Sequence, residues 1–188
     1  MNILLIAIGS LIILAIIAAV IYNRYVKLKN LNEEGFHEIG ICLQKRLDLI
    51  PGLINVVKGY ALHEKETLEN VIKLRSQMEI IDKKNIDNIE KIKKIENETE
   101  KTLKSIMILQ ENYPDLKANE NFLKLQTQLM QIETEIQRSR RYYNGTTRDR
   151  NTFVETFPNN FIGKILGFKK SKFLEITDKA EKTPEIKF

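Results

Sequence analysis

The first 23 residues carry no charged side chain, and residues 3–22 (ILLIAIGSLIILAIIAAVIY) are almost continuously apolar. A helix rises about 1.5 Å per residue, so such a run crosses roughly 30 Å, the hydrocarbon thickness of a bilayer. Eight Ile, four Leu and one Val lie within it. At about −0.3 to −0.6 kcal/mol each near a helix centre, they favour insertion by roughly 4–8 kcal/mol. A cleaved signal peptide would need a basic leader and a shorter apolar core. Neither is present before Arg24, and no Cys follows to make a lipoprotein site. An uncleaved anchor at 1–23 is therefore expected.

Arg24, Lys27 and Lys29 follow the run at once. The positive-inside rule puts that side in the cytoplasm and the N-terminus outside. A single thiol, Cys42, cannot form an internal disulfide, which suits a reducing compartment.

All 30 Lys/Arg and 25 Asp/Glu lie beyond the apolar run, for a net charge of +5. The signs are interspersed, as in Glu64-Lys65-Glu66 and Glu98-Thr99-Glu100-Lys101. That is the pattern of solvated helix faces, so no nucleic-acid partner is expected. Gly and Pro are scarce, and no segment alternates as a strand does.

The apolar spacing predicts an all-α domain, an antiparallel up-and-down four-helix bundle continuing from the anchor. A first helix over 24–49 carries Leu28, Leu31, Gly35, Ile39, Leu43 and Leu47 as one stripe, and Pro51-Gly52 reads as a turn. A second helix is expected over 53–80, with a turn at Asp82–Asn85. A third, over 86–112, presents Ile89, Ile92, Ile95, Thr99, Leu103 and Ile106; Asp87 and Glu90 suggest a capping box at its start. Tyr113-Pro114-Asp115 ends it. A fourth, over 119–156, presents Phe122, Leu125, Leu129, Ile132, Ile136 and Tyr143, with Gly145 as a weak point where it bends. A single extended coiled coil is the alternative, opposed by Pro51-Gly52 and Pro114. The bundle domain thus runs from 24 to 157, and a basic, aromatic tail occupies 158–188.

Up-and-down connectivity returns the chain to the bilayer after the fourth helix. The segment from Phe157 to Leu174 mixes aromatic and aliphatic residues with Lys164, Lys169, Lys170 and Lys172. It either faces headgroups or closes the base of the core with Phe157, Phe161, Ile165, Leu166 and Phe168. With Arg24, Lys27 and Lys29, the four tail lysines are expected to form a basic collar at the lipid surface.

Catalytic patterns are missing. His63-Glu64 begins like a zinc-protease motif, but Thr67 stands where the second His is needed. There is no glycine-rich phosphate loop and no nucleophile elbow, so no enzyme, metal or cofactor is expected. Glu133, Arg140, Asn144 and Asn151 fall seven, four and seven residues apart beside the apolar stripe of the fourth helix. They are expected to form a partly buried structural network with Arg46, Asp48 or Glu64; a ligand site is the sharper alternative.

The runs Leu47-Asp48-Leu49-Ile50-Pro51-Gly52-Leu53, Val57–Glu69 (VKGYALHEKETLE) and Tyr113–Phe122 (YPDLKANENF) resemble the LemA family of bacterial membrane proteins. Glu133, Ile136, Arg140, Tyr143-Asn144, Asn151, Phe157-Pro158, Gly167-Phe168 and the ending Pro184–Phe188 continue the resemblance. Gly52, Gly35-Phe36 and Gly145 depart from its usual Asn, Ala-Trp and better helix former. The resemblance implies an N-terminal anchor and a four-helix cytoplasmic bundle, and it supplies no catalytic residues. A magnetosome-associated relative implies a part in membrane organisation. Two roles follow as expectations: a membrane scaffold with the bilayer, a protein partner or a second copy of itself; or a regulatory module binding a small ligand. An enzyme built on the HEKET run is the remote third.

Overall fold

The computed structural model describes residues 2–59, 69, 73–74, 76–79 and 88–174. The described chain is all-α, with no strand among those residues. Five helices are numbered here in chain order: α1 (Asn2–Lys58), α2 (Ile89–Asn112), α3 (Pro114–Lys117), α4 (Glu120–Glu155) and α5 (Asn159–Leu166). Residues 73, 74 and 76–79 are also helical. The expected second turn at Asp82–Asn85, and most of the expected second helix, fall outside the described residues.

α1 is one rod of 57 residues, about 85 Å long. Its first part is long and apolar enough to cross a membrane. Ile3, Leu4, Ile6 and Leu11 are all more than half exposed. From Ile21 onwards one face becomes buried, and the core begins in earnest at Phe36.

The expected turn at Pro51-Gly52 is absent. The helix runs through both residues to Lys58, and the N–H of Gly59 after it bonds the Val56 carbonyl at 3.3 Å. An interior proline costs about 3 kcal/mol by deleting one backbone bond and crowding the preceding turn. Here Leu53, Ile54 and Val57, all buried, extend the stripe of Leu43, Leu47 and Ile50 past the proline. Each such side chain contributes about 1.5–3 kcal/mol on burial, so continuing the helix outweighs the defect. Gly52 sits within 3.6 Å of Leu125 on α4, measured from where a Cβ would stand.

α4 lies alongside α1. Asn32 meets Thr147, Cys42 meets Ser139, Arg46 meets Glu133 and Gly52 meets Leu125. The α4 numbers fall as the α1 numbers rise, so these two helices run in opposite directions. α2 packs against α1 and reaches α4 through side chains, where Gln126 bonds Gln110 and Arg140 meets Glu96. All six residues read as the inner face of α2, Ile89 to Ile106, are buried. The five aliphatic ones join Phe36, Ile50, Leu53, Phe122, Ile136 and Tyr143, with Leu74, Met78 and Leu116, in one core.

Local signals set the helix ends. Pro114 starts the short α3, where its missing N–H is harmless. Asn119 caps α4 by accepting the Phe122 N–H at 3.1 Å. The start of α2 shows no side-chain cap at Asn88, and Asp87 lies outside the described residues. α4 continues as a helix through Gly145 to Glu155.

Candidate functional site

The polar stripe of α4 divides into two halves with different work. Its upper half faces other helices. Glu133 pairs with Arg46 at 3.4 Å, and Arg140 pairs with Glu96 of α2. Both arginines are more than nine-tenths buried, and the Nε of each has no hydrogen-bond partner. Burial, and then the neighbouring Arg46 guanidinium, push the Arg140 pKa below its ordinary value. Asp48 receives Gln44 at 3.2 Å from its own helix, and Glu64 lies outside the described residues. Beside these arginines a cleft of about 720 Å³ opens between α2 and α4. Leu103, Met107 and Leu129 give it an apolar wall, and Gln126, Glu133 and Gln137 a polar one.

The lower half of the stripe does something periodicity did not suggest. Asn144 and Asn151 do not join the arginines; they clamp the tail. The Asn151 side chain donates to the Ser171 carbonyl at 2.9 Å and accepts the Ser171 N–H at 2.8 Å. Asn144 treats Leu174 in the same way, at 2.9 and 3.0 Å. A carboxamide carries a donor and an acceptor side by side, so it engages an extended backbone much as a neighbouring strand would. The spacings match: seven helical residues advance about 10.5 Å, and three extended residues from 171 to 174 advance about 10 Å.

Tyrosines complete the clamp. Tyr143, fully buried, donates to the Lys172 carbonyl at 2.6 Å. Tyr25 of α1 accepts the Lys169 N–H at 3.0 Å and stacks on Phe168 with ring centroids 3.9 Å apart. Gly167, at φ 72°, makes the reversal from α5 into this strap. The strap therefore runs back along α4, opposite to it in direction.

Beneath the strap lies a second polar cluster that the sequence did not reveal. Arg150 is buried with no carboxylate beside it among the described residues. It donates to Asn32 Oδ1 and to the Tyr25 hydroxyl, each at 3.2 Å, and its guanidinium carbon stands 5.5 Å from the Tyr25 ring centre. Asn32 in turn donates to Thr147 at 2.7 Å. A signal for this cluster did exist: Asn32 continues the α1 stripe as its one amide, and Arg150 and Thr147 lie on the α4 face shared with Tyr143.

The seven basic residues expected as a collar are all exposed. Arg24 and Lys27 sit just past the apolar run, and Lys29 pairs with Glu33 at 3.7 Å. Lys169 lies beside Tyr25, while Lys170 pairs with Glu155. Lys172 follows Ser171 on the strap, between the levels of Asn151 and Asn144, with its carbonyl on the Tyr143 hydroxyl. Lys164 lies on α5. The expectation that Phe157, Phe161, Ile165 and Leu166 close the base of the core is not met; they are 81%, 67%, 74% and 45% exposed.

A family model described as the LemA family matches residues 35–188. The chain belongs to the LemA family. Protein LemA of Metamycoplasma hominis is 26% identical over 144 residues, covering 77% of this chain and 64% of that relative. This chain thus spans less than two thirds of that relative's length. The LemA match begins at Gly35, beyond the apolar run, and takes in the upper stripe, the clamp asparagines, Arg150 and the strap. Within it, the departures at Gly52 and Gly145 leave α1 and α4 unbroken.

Proposed function

We propose that this LemA-family chain is a single-pass, membrane-anchored scaffold or interaction protein without catalytic activity. One observation carries the reading: α1 passes without interruption from an exposed apolar run into the packed core. An anchor joined this way is a rigid lever, so the bilayer sets the orientation of the soluble part and whatever docks on it. The soluble part is read as an up-and-down four-helix bundle, with α1 beyond the apolar run, the helical stretch around Leu74 and Met78, α2 and α4 as its rods. Arg24 and Lys27 support a cytoplasmic location for it and an outward N-terminus. The partners proposed are the lipid bilayer, a protein, and a second copy of the chain. Nucleic acid is left out because the charges alternate along the helices.

The test is proximity labelling from the soluble domain in intact cells, compared with a variant carrying a flexible Gly/Ser linker between Asn23 and Arg24. A rigid scaffold yields a defined set of cytoplasmic neighbours that the linker variant loses. No enrichment over a membrane-bound control, or the same neighbours with the linker, overturns it.

The cleft beside Arg46 and Arg140 favours a second reading, a small amphipathic ligand held between α2 and α4. Native mass spectrometry of the protein taken from its own membranes tests it. A retained molecule lost in Thr127→Trp, which fills the cleft mouth, supports the reading; unliganded protein in both forms removes it.

A further inference from the structure

We infer that α5 is a second membrane contact, lying in the interface of the same bilayer that α1 crosses; this rests on the membrane-spanning reading of α1. Register places it there. Arg150 meets Tyr25, and pairs higher up, such as Thr147 with Asn32, keep the same opposed progression. Each further residue of α4 descends about 1.5 Å towards the N-terminal end of α1. Glu155 therefore stands level with residues 20–24, where the apolar run gives way to Arg24. α5 begins beyond that point, and Phe168 behind it lies 6.4 Å from the Tyr22 ring.

At that level α5 shows an unpartnered apolar face. Phe161 and Ile165 stand four residues apart on it, Leu166 adjoins them, Phe157 precedes the helix, and all four are exposed. The opposite side is fastened down, with Gly163 buried so closely against Phe168 that a Cβ there would stand 2.8 Å from its ring. α5 thus cannot turn its apolar face inward without breaking the Gly163–Phe168–Tyr25 stack. Lys164 and Lys169, with Arg24 and Lys27, flank the face with positive charge, the composition of a helix that sinks into the headgroup–acyl boundary of an anionic surface. The occupant is lipid because the face continues the apolar surface of α1 at the same height. An apolar face there in water would have no comparable neighbour.

The chain has no tryptophan, so single reporters can be placed cleanly. Ile13→Trp, Phe161→Trp and Tyr113→Trp, each in the full chain, are reconstituted in phosphatidylcholine–phosphatidylglycerol vesicles with brominated acyl chains. Phe161→Trp should be quenched several-fold more than Tyr113→Trp, approaching Ile13→Trp, with blue-shifted emission. Ile165→Trp should repeat the result. If Ile13→Trp is quenched while Phe161→Trp and Ile165→Trp match Tyr113→Trp, the α5 contact is overturned and the anchor stands. If none is quenched, the anchor reading falls and the α5 contact falls with it.

Discussion

Removing the Asn151 carboxamide should release the strap. Asn151→Ala deletes the two bonds to Ser171, each worth about 0.5–1.5 kcal/mol net, so the local loss is roughly 1–3 kcal/mol. That is decisive because the strap is near balance. Ordering seven residues, 168–174, costs roughly 7–14 kcal/mol in backbone entropy. Against this stand the four asparagine bonds and those from Tyr143 and Tyr25, roughly 3–9 kcal/mol together. Burial of Leu174 and Phe168 adds roughly 3–6 kcal/mol. Hydrogen exchange reads the outcome amide by amide. The Ser171 N–H should exchange roughly 5- to 150-fold faster in Asn151→Ala than in the wild type. The Leu174 N–H, held by Asn144, should follow with a smaller increase, while amides of α2 stay unchanged. Asn151→Asp keeps the acceptor but turns a carboxylate oxygen towards the Ser171 carbonyl, so it should behave like the alanine variant. If Ser171 exchanges at the wild-type rate in both variants, the paired carboxamide bonds do not hold the strap and the reasoning fails.

Four further outcomes are expected. Gly145 has nothing within 4 Å of a new Cβ, so Gly145→Ala should gain about 0.5–1 kcal/mol of helix propensity. At Gly35 a Cβ would meet Tyr142 at 3.0 Å and the Tyr143 backbone at 3.2 Å, so Gly35→Ala should lower the thermal midpoint despite the same propensity gain, and Gly35→Val should lower it more; a midpoint raised by Gly35→Ala would contradict the close approach. Arg140→Ala leaves Glu96 buried alone and should cost about 3–5 kcal/mol in urea melts, whereas replacing both Arg140 and Glu96 by Met should recover most of it; equal losses would rule out a desolvated pair. Burial pushes the Cys42 thiol above its ordinary pKa, so at pH 8 its thiolate is scarcer than that of a free cysteine. Iodoacetamide should label Cys42 only as fast as the domain opens, and rapid labelling of the folded protein would refute its burial.

The apolar run, the helical character and the buried faces of α2 and α4 were legible because each depends on residues a turn or two apart. Local spacing carries the 3.6-residue period, and solvent enforces it. The clamp was half legible: Asn144 and Asn151 stood out at seven-residue spacing, yet an extended strap has no period of its own to announce it as their partner. Pro51-Gly52 misled for the converse reason. Proline and glycine are local signals, and the burial of Leu53, Ile54 and Val57 that overrides them exists only once α4 and α2 have closed over α1. Sequence alone thus determined the apolar segment and the helices α2 and α4 with their inner faces. Tertiary structure decided that α1 is one rod to Lys58 and that the stripe serves two partners. It also decided that α5 keeps its apolar face outward, because these outcomes depend on contacts between separate elements, from Asn151 with Ser171 and Arg140 with Glu96 to Tyr25 with Arg150 and Lys169.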